Sequence, residues 1–348
     1  MKHVRKLVMS IFTLLVVVIC FTTTTYAWFK NNSLVIVETL EFKATSGLGF
    51  LVSIDNEHYY NDLSNDKIIK AIILASDSRF ELKNEELYYK NSDIKVSHDE
   101  MVQLYKKNKL IPRTSYDGIN LTDMYHASAS PEDGSYIEFS IYFKAASNSL
   151  EDNKVYDIYL LGHDEELIDG RTVKASRMES VSVSEVDLVT DLTTYEKNYH
   201  SGEKIYVYSS NAMRMSIQDT TLENPKATIY EMVNDHDLGS YATDYDGEDP
   251  VESKLYNSKY NAGFTYYNNL RRFNKIEPID YVTKPKAYRD ISDTSKLEKI
   301  TRVKSGEEGK KITFRIWLEG WDADCFDGIA KNINVGLSFT SIKVEEEI

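Results

Sequence analysis

Residues 137–143 read Ile-Glu-Phe-Ser-Ile-Tyr-Phe, with apolar residues at every second position. That alternation puts one set of side chains on one face of an extended chain and commits the segment to a half-buried β-strand. Other runs argue the same way: Leu34 to Val37, Gly49 to Ile54, Val155 to Leu161, Ile205 to Tyr208, Met213 to Ile217, Ile312 to Leu318 and Ile333 to Phe339. Turn pairs at Ser201-Gly202, Ser305-Gly306 and Asp327-Gly328 punctuate them. Many short strands with few helices predict a mainly β chain. The expected architecture is a jelly-roll-like antiparallel β-sandwich, whose long inter-strand gaps hold insertions.

Helix signals are confined. Ser97-His98-Asp99-Glu100 is a capping-box pattern ahead of an amphipathic stretch in which Met101, Leu104 and Tyr105 share a face. Residues Asp66 to Ala75 form a second candidate helix. Both fall within 55–130, read as an insertion on the β framework; 233–305, polar and irregular, is read as another. The expectation is one sandwich over 31–348, the alternative two β domains at 31–190 and 191–348. The segments beginning at Ile137 and Ile312 echo each other position by position, as equivalents in two sheets or in two similar domains would.

The N-terminus reads as an export segment. Lys2, Arg5 and Lys6 precede 23 uncharged residues, Leu7 to Phe29, and Thr25-Tyr26-Ala27 is a small-x-small cleavage pattern with Trp28 as the first mature residue. Uncleaved, these residues would span about 34 Å as a helix, enough for a hydrocarbon core of roughly 30 Å. Residues 1–29 are therefore expected to be a signal peptide or membrane anchor. The rest is expected outside the cytoplasm, extracellular or at the cell surface.

Composition narrows the partners. Removing Lys2, Arg5, Lys6 and Lys30 from the net charge of −14 leaves −18 on residues 31–348. Such a balance argues against nucleic acid and anionic lipid as partners. Of two cysteines, Cys20 lies in the export segment, so Cys325 has no partner within the exported part and the fold must stand without disulfides. Twenty-five tyrosines suit half-buried strands.

Three stretches carry a family resemblance. Thr25-Tyr26-Ala27-Trp28-Phe29 resembles the end of export signals cut by the SipW-type signal peptidase of low-GC Gram-positive bacteria. Ser46 to Asp55 and Ile316 to Cys325 resemble segments of secreted proteins of such bacteria and of mollicutes. The likeness covers both ends of the chain and implies TasA/camelysin-like surface proteins. TasA-like proteins are jelly rolls that polymerise when one subunit's N-terminal strand completes the next subunit's sheet. The resemblance thus makes Leu34, Val35, Ile36 and Val37 the candidate donor strand and a second copy of the chain the candidate partner. The plainer alternative is a first strand that folds into its own sheet.

The sequence carries few of the patterns that catalysis needs. Camelysin-like proteins have been called metallopeptidases, but no two of the seven histidines have H-E-x-x-H spacing. No G-x-S-x-G, P-loop or dinucleotide fingerprint occurs. The expectation is a non-enzyme without a cofactor. Calcium is the one metal with candidate ligands: Asp244, Asp246, Glu248 and Asp249 in one cluster, Asp322, Asp324 and Asp327 in another. Neither fits an EF-hand, and turn-forming aspartates are the plainer reading. Trp317 is expected to point into the core, with a sugar-stacking platform as the alternative. Three functions remain: an exported surface or matrix protein, possible as a fibre subunit; a surface glycan- or peptide-binding module, with or without calcium; and, last, a hydrolase.

Overall fold

A computed structural model describes residues 35–44, 49–146, 153–231, 286–287 and 299–344, apart from short gaps at 116, 124–126, 162–165, 169–170, 174–175, 188–191, 195–196, 321, 323–324 and 326–331. The export segment, including Ala27 and Trp28, lies outside the described residues, as does Leu34. Among the described residues no helix is long and apolar enough to cross a membrane.

The first half of the chain runs β1 (Val37–Ala44), β2 (Phe50–Ser53), α1 (Asn65–Ser76), β3 (Phe80–Lys83), β4 (Glu86–Tyr89), α2 (His98–Tyr105), β5 (Pro112–Arg113), β6 (Ile137–Ala145) and β7 (Val155–Leu160). Short strands follow: β8 (Glu166–Ile168), β9 (Arg171–Val173), β10 (Arg177–Ser180), β11 (Val183–Asp187), β12 (Leu192–Thr194) and β13 (Lys197–Tyr199). The remainder is β14 (Lys204–Tyr208), β15 (Met213–Asp219), β16 (Ala227–Glu231), β17 (Lys286–Ala287), β18 (Lys299–Lys304), β19 (Lys310–Glu319) and β20 (Ile333–Val344).

Two sheets carry the core. Sheet one has the order β1-β20-β7-β18, with β10 also on β20. Sheet two has the order β17-β16-β15-β19-β6-β2, with β5 also on β19. Phe42 and Phe339 of sheet one stack at 4.7 Å. They meet Phe143 and Phe314 of sheet two at centroid distances of 5.4 to 6.2 Å. These tilted and edge-on contacts are the favoured aromatic arrangements, and they lock the sheets face to face as a sandwich.

Most pairings are antiparallel, as expected, but β1 runs parallel to β20, from Val37 opposite Ile333 to Ala44 opposite Phe339. Both sheets draw strands from both halves of the chain. The two echoing segments are not in separate sheets. They are β6 and β19, antiparallel neighbours in sheet two, with Phe139 opposite Phe314. Their similarity follows from shared surroundings: both alternate between the same core and the same outer layer. Residues 299–304, read as part of an insertion, are β18, the edge of sheet one.

The insertion at 55–130 holds both helices. Ser64 caps α1, and Ile68, Ile69, Ala71, Ile72 and Ile73 bury one face against β6 and β1. Ser97 caps α2 by accepting from the Glu100 N–H at 3.3 Å. The Glu100 carboxylate meanwhile takes the Tyr89 hydroxyl of the β3–β4 hairpin. Glu100, in the first turn of α2, thereby joins helix to hairpin.

Candidate functional site: the N-terminal strand and its groove

β1 is an edge strand whose inner side chains are deeply buried. Val35, Val37, Leu40 and Phe42 are each at most 2% exposed. Burying four such side chains stabilises by about 6–12 kcal/mol at roughly 1.5–3 kcal/mol each. The groove that receives them is made by distant parts of the chain: β20 on one side and the 55–130 insertion on the other. An empty groove is therefore a rare state, and a strand that leaves must be replaced.

The outer edge of β1 touches the insertion at three points. Val35 and Leu110 exchange hydrogen bonds, at 2.8 Å from the Leu110 N–H and 3.4 Å from the Val35 N–H. The Tyr105 hydroxyl, at the end of α2, donates to the Val37 carbonyl at 2.6 Å. Phe42 forms an antiparallel bridge with Leu63. Burial pushes the Tyr105 hydroxyl well above its ordinary pKa, so it stays protonated as a donor.

Residues 105–113 then continue across the sandwich. Lys109 donates to the Gly134 carbonyl at 2.9 Å and Ile111 to that of Ser135 at 3.2 Å, just ahead of β6. β5 pairs in parallel with Leu318 and Glu319 of β19. One extended segment thus links the edge of sheet one to sheet two. Nothing local in the sequence marks Tyr105, Leu110 or Leu63 as partners of β1, because each contact spans more than 20 residues. Of the expected donor residues, Val37 lies in β1, Val35 makes the bridge to Leu110, and Ile36 accepts through its carbonyl from Ile333 at 3.1 Å.

The calcium candidates fare differently. Asp244, Asp246, Glu248, Asp249, Asp324 and Asp327 lie outside the described residues. Asp322 is buried, with Oδ2 at 2.5 Å from Nη2 of Arg214. Nη1 of Arg214 donates to the carbonyls of Asn211 and Met213, each at 2.9 Å. The guanidinium supplies Asp322 with a countercharge, so the carboxylate serves as half of a buried ion pair.

Trp317 is fully buried, but on the other face of β19 from Phe314, Ile316 and Leu318. It packs with Leu121, Tyr136 and Ile229 in a second apolar cluster, and its Nε1–H donates to Glu319 at 3.0 Å. Gly118 and Leu121 lie over this face. Gly118, at φ +71°, comes so close that an added Cβ would meet Ile229 and Ser216 at 2.9 Å. A ring buried there is no platform for a sugar. Cys325 is also buried, and its N–H donates to the Asp322 carbonyl at 3.0 Å.

One further cluster of possible ligands follows β2. Ligand atoms of Asp55, Glu57 and His58 lie within 4.8 Å of one another. Yet Oδ1 of Asp55 already accepts from the Ser53 hydroxyl at 2.7 Å and from the N–H groups of Glu57 and His58 at 2.9 and 2.8 Å. Oδ2 faces Nδ1 of His58 at 2.8 Å. Burial pushes the Asp55 carboxyl up, but the His58 ring and these donors outweigh it and hold it at about 2. The same ring contact raises His58. Ser53-x-Asp55 directly after a strand is the signal that would have found this self-closed turn.

A cleft of about 240 Å³ between α1, α2 and residues 131–134 is lined by Ile73, Leu104, Lys107, Asn108 and Asp133 among others. It is smaller than the roughly 300–1,000 Å³ typical of ligand pockets. No protein-family model, no curated protein and no solved structure matches this chain.

Proposed function

We propose that this chain is an exported cell-surface or matrix protein that works by assembly rather than catalysis, with β1 as the strand exchanged between copies. The observation that carries the reading is the construction of the β1 groove. The strand's partners lie at β20 and in the 55–130 insertion, and only residues 45–49 join it to β2. A second copy's 35–44 entering the same groove would keep every contact, which is the condition for exchange at low cost. The jelly-roll-like reading of the sandwich belongs to the same proposal, with a parallel first strand as its departure from a purely antiparallel form. Cleavage after Ala27 would leave Trp28 first and put β1 a few residues from a free end.

The test uses protein cleaved at that bond, confirmed by the mass of its N-terminus. Light- and heavy-isotope populations are mixed, and electron microscopy follows them at rising concentration. The expected result is oligomers or fibres whose growth a peptide of residues 35–44 suppresses. Monodisperse particles at all concentrations, with no mixing of copies, overturn the proposal.

A further inference from the structure

Two of the three contacts on the outer edge of β1 lie at its N-terminal end, at Val35 and Val37, and both belong to the 105–113 segment. The opposite end of β1 is tied by the chain itself, which continues to β2. A strand fixed at one end peels from the other, so any departure of β1 starts under this segment. The ladder to β20 runs from Val37 to Ala44 with one irregularity, between Val37 and Thr39, whereas the strap holds the strand by one residue pair and one hydroxyl.

We propose that residues 105–113 form a strap that gates β1, so that the N-terminal strand enters or leaves its groove only when the Tyr105 and Leu110 contacts open. The purpose of this gate rests on the strand-exchange reading; its geometry does not. The strap has anchors independent of β1: Lys109 on Gly134, Ile111 on Ser135, and β5 on β19. It therefore stays with the acceptor when the strand moves. An incoming strand meets the same requirements: a direction parallel to β20, a backbone amide pair opposite Leu110, and a carbonyl aimed at the Tyr105 hydroxyl two residues later. A second copy's residues 35–37 satisfy all three.

The experiment has two arms on the signal-cleaved protein. In the first, hydrogen exchange read by mass spectrometry compares wild type with Tyr105→Phe, which keeps the ring and removes the donor. The amides of 35–42 should exchange about fivefold faster, one hydrogen bond's net contribution, with β6 and β19 unchanged. In the second, Val35→Cys and Leu110→Cys are combined. A hydrogen-bonded antiparallel pair lies about 5.5 Å apart at Cα, within disulfide reach. Oxidised, this variant should mix copies at least about tenfold more slowly than wild type, and reductant should restore the rate. No local change in Tyr105→Phe, an equal change everywhere, or undiminished mixing of the oxidised variant overturns the strap. Faster local exchange in Tyr105→Phe with no mixing of copies in any form keeps the strap as the clasp on β1 and overturns strand exchange.

Discussion

Replacing Asp322 by Asn tests the buried pair that this aspartate forms with Arg214. Arg214 and Asp322 have side-chain exposures of 2% and 0%. Two unit charges roughly 4 Å apart at an effective dielectric constant near 20 attract by about 4 kcal/mol. Removing one partner forfeits this attraction, while the guanidinium keeps its bonds to the carbonyls of Asn211 and Met213. The expected loss is about 3–5 kcal/mol. With a urea m-value of about 2–3 kcal/mol/M, the midpoint should fall by about 1–2.5 M. Arg214→Met alone should cost a similar amount, because it leaves the carboxylate buried. The double variant Arg214→Met, Asp322→Leu should lose less than either single, since no charge remains to desolvate. Equilibrium unfolding followed by circular dichroism reads all four proteins. A loss below about 1 kcal/mol for Asp322→Asn, or a double variant worse than both singles, refutes the reasoning.

Three further outcomes are expected. The Asp55–His58 contact should be strongest between about pH 4 and 6.5: the lowered Asp55 contributes above its unfolded pKa and is lost as pH falls toward about 2, while the raised His58 contributes below about 6.5 and is lost as pH rises through its folded value. An NMR titration of His58 should return to its ordinary range in Asp55→Asn; an unmoved titration rejects the contact. Trp317 should resist iodide quenching in a Trp28→Phe, Trp321→Phe background of the cleaved chain, where it is the one tryptophan left, because it is fully buried; quenching at the exposed-tryptophan rate rejects its place beside Leu121, Tyr136 and Ile229. Gly118→Ala should destabilise by more than Gly202→Ala. Both glycines have positive φ, worth about 1–2 kcal/mol to an L residue, but only Gly118 would also collide with its neighbours; equal losses in thermal unfolding would deny the close approach.

Where side-chain period decides structure, the sequence is legible. Ile137 to Phe143, Ile312 to Leu318 and Ile333 to Phe339 all lie within observed strands, and Asp66 to Ala75 lies within α1. Two kinds of feature escaped. The β3–β4 hairpin turns at Asn84 and Glu85, both at positive φ, without the glycine that usually announces such a turn. Strand partners escaped as well: nothing in Val37–Ala44 reveals a parallel partner near residue 333, because pairing is settled by the packing of Phe42 among Phe143, Phe314 and Phe339. The groove was legible on one side only. Leu34 to Val37 drew attention as an apolar run, while the hydroxyl and the backbone amide that hold it carry no pattern. Asp322 looked like a loop ligand because its partner stands 108 residues away.

The central strands of both sheets come late in the chain. β20 sits between β1 and β7, and β19 between β15 and β6, so the edges of the sandwich precede its middle. Thr39 and Asn334, joined by a side-chain hydrogen bond, are 295 residues apart. Closing so long a loop costs little more free energy than closing one of half the length, but it takes time. A chain threaded N-terminus first through a membrane pore would deliver β1 long before its own β20. During that interval the apolar face of the strand has no internal acceptor. If copies of the chain exchange this strand as proposed, the delay between β1 and β20 is the time in which an external acceptor competes with the internal one.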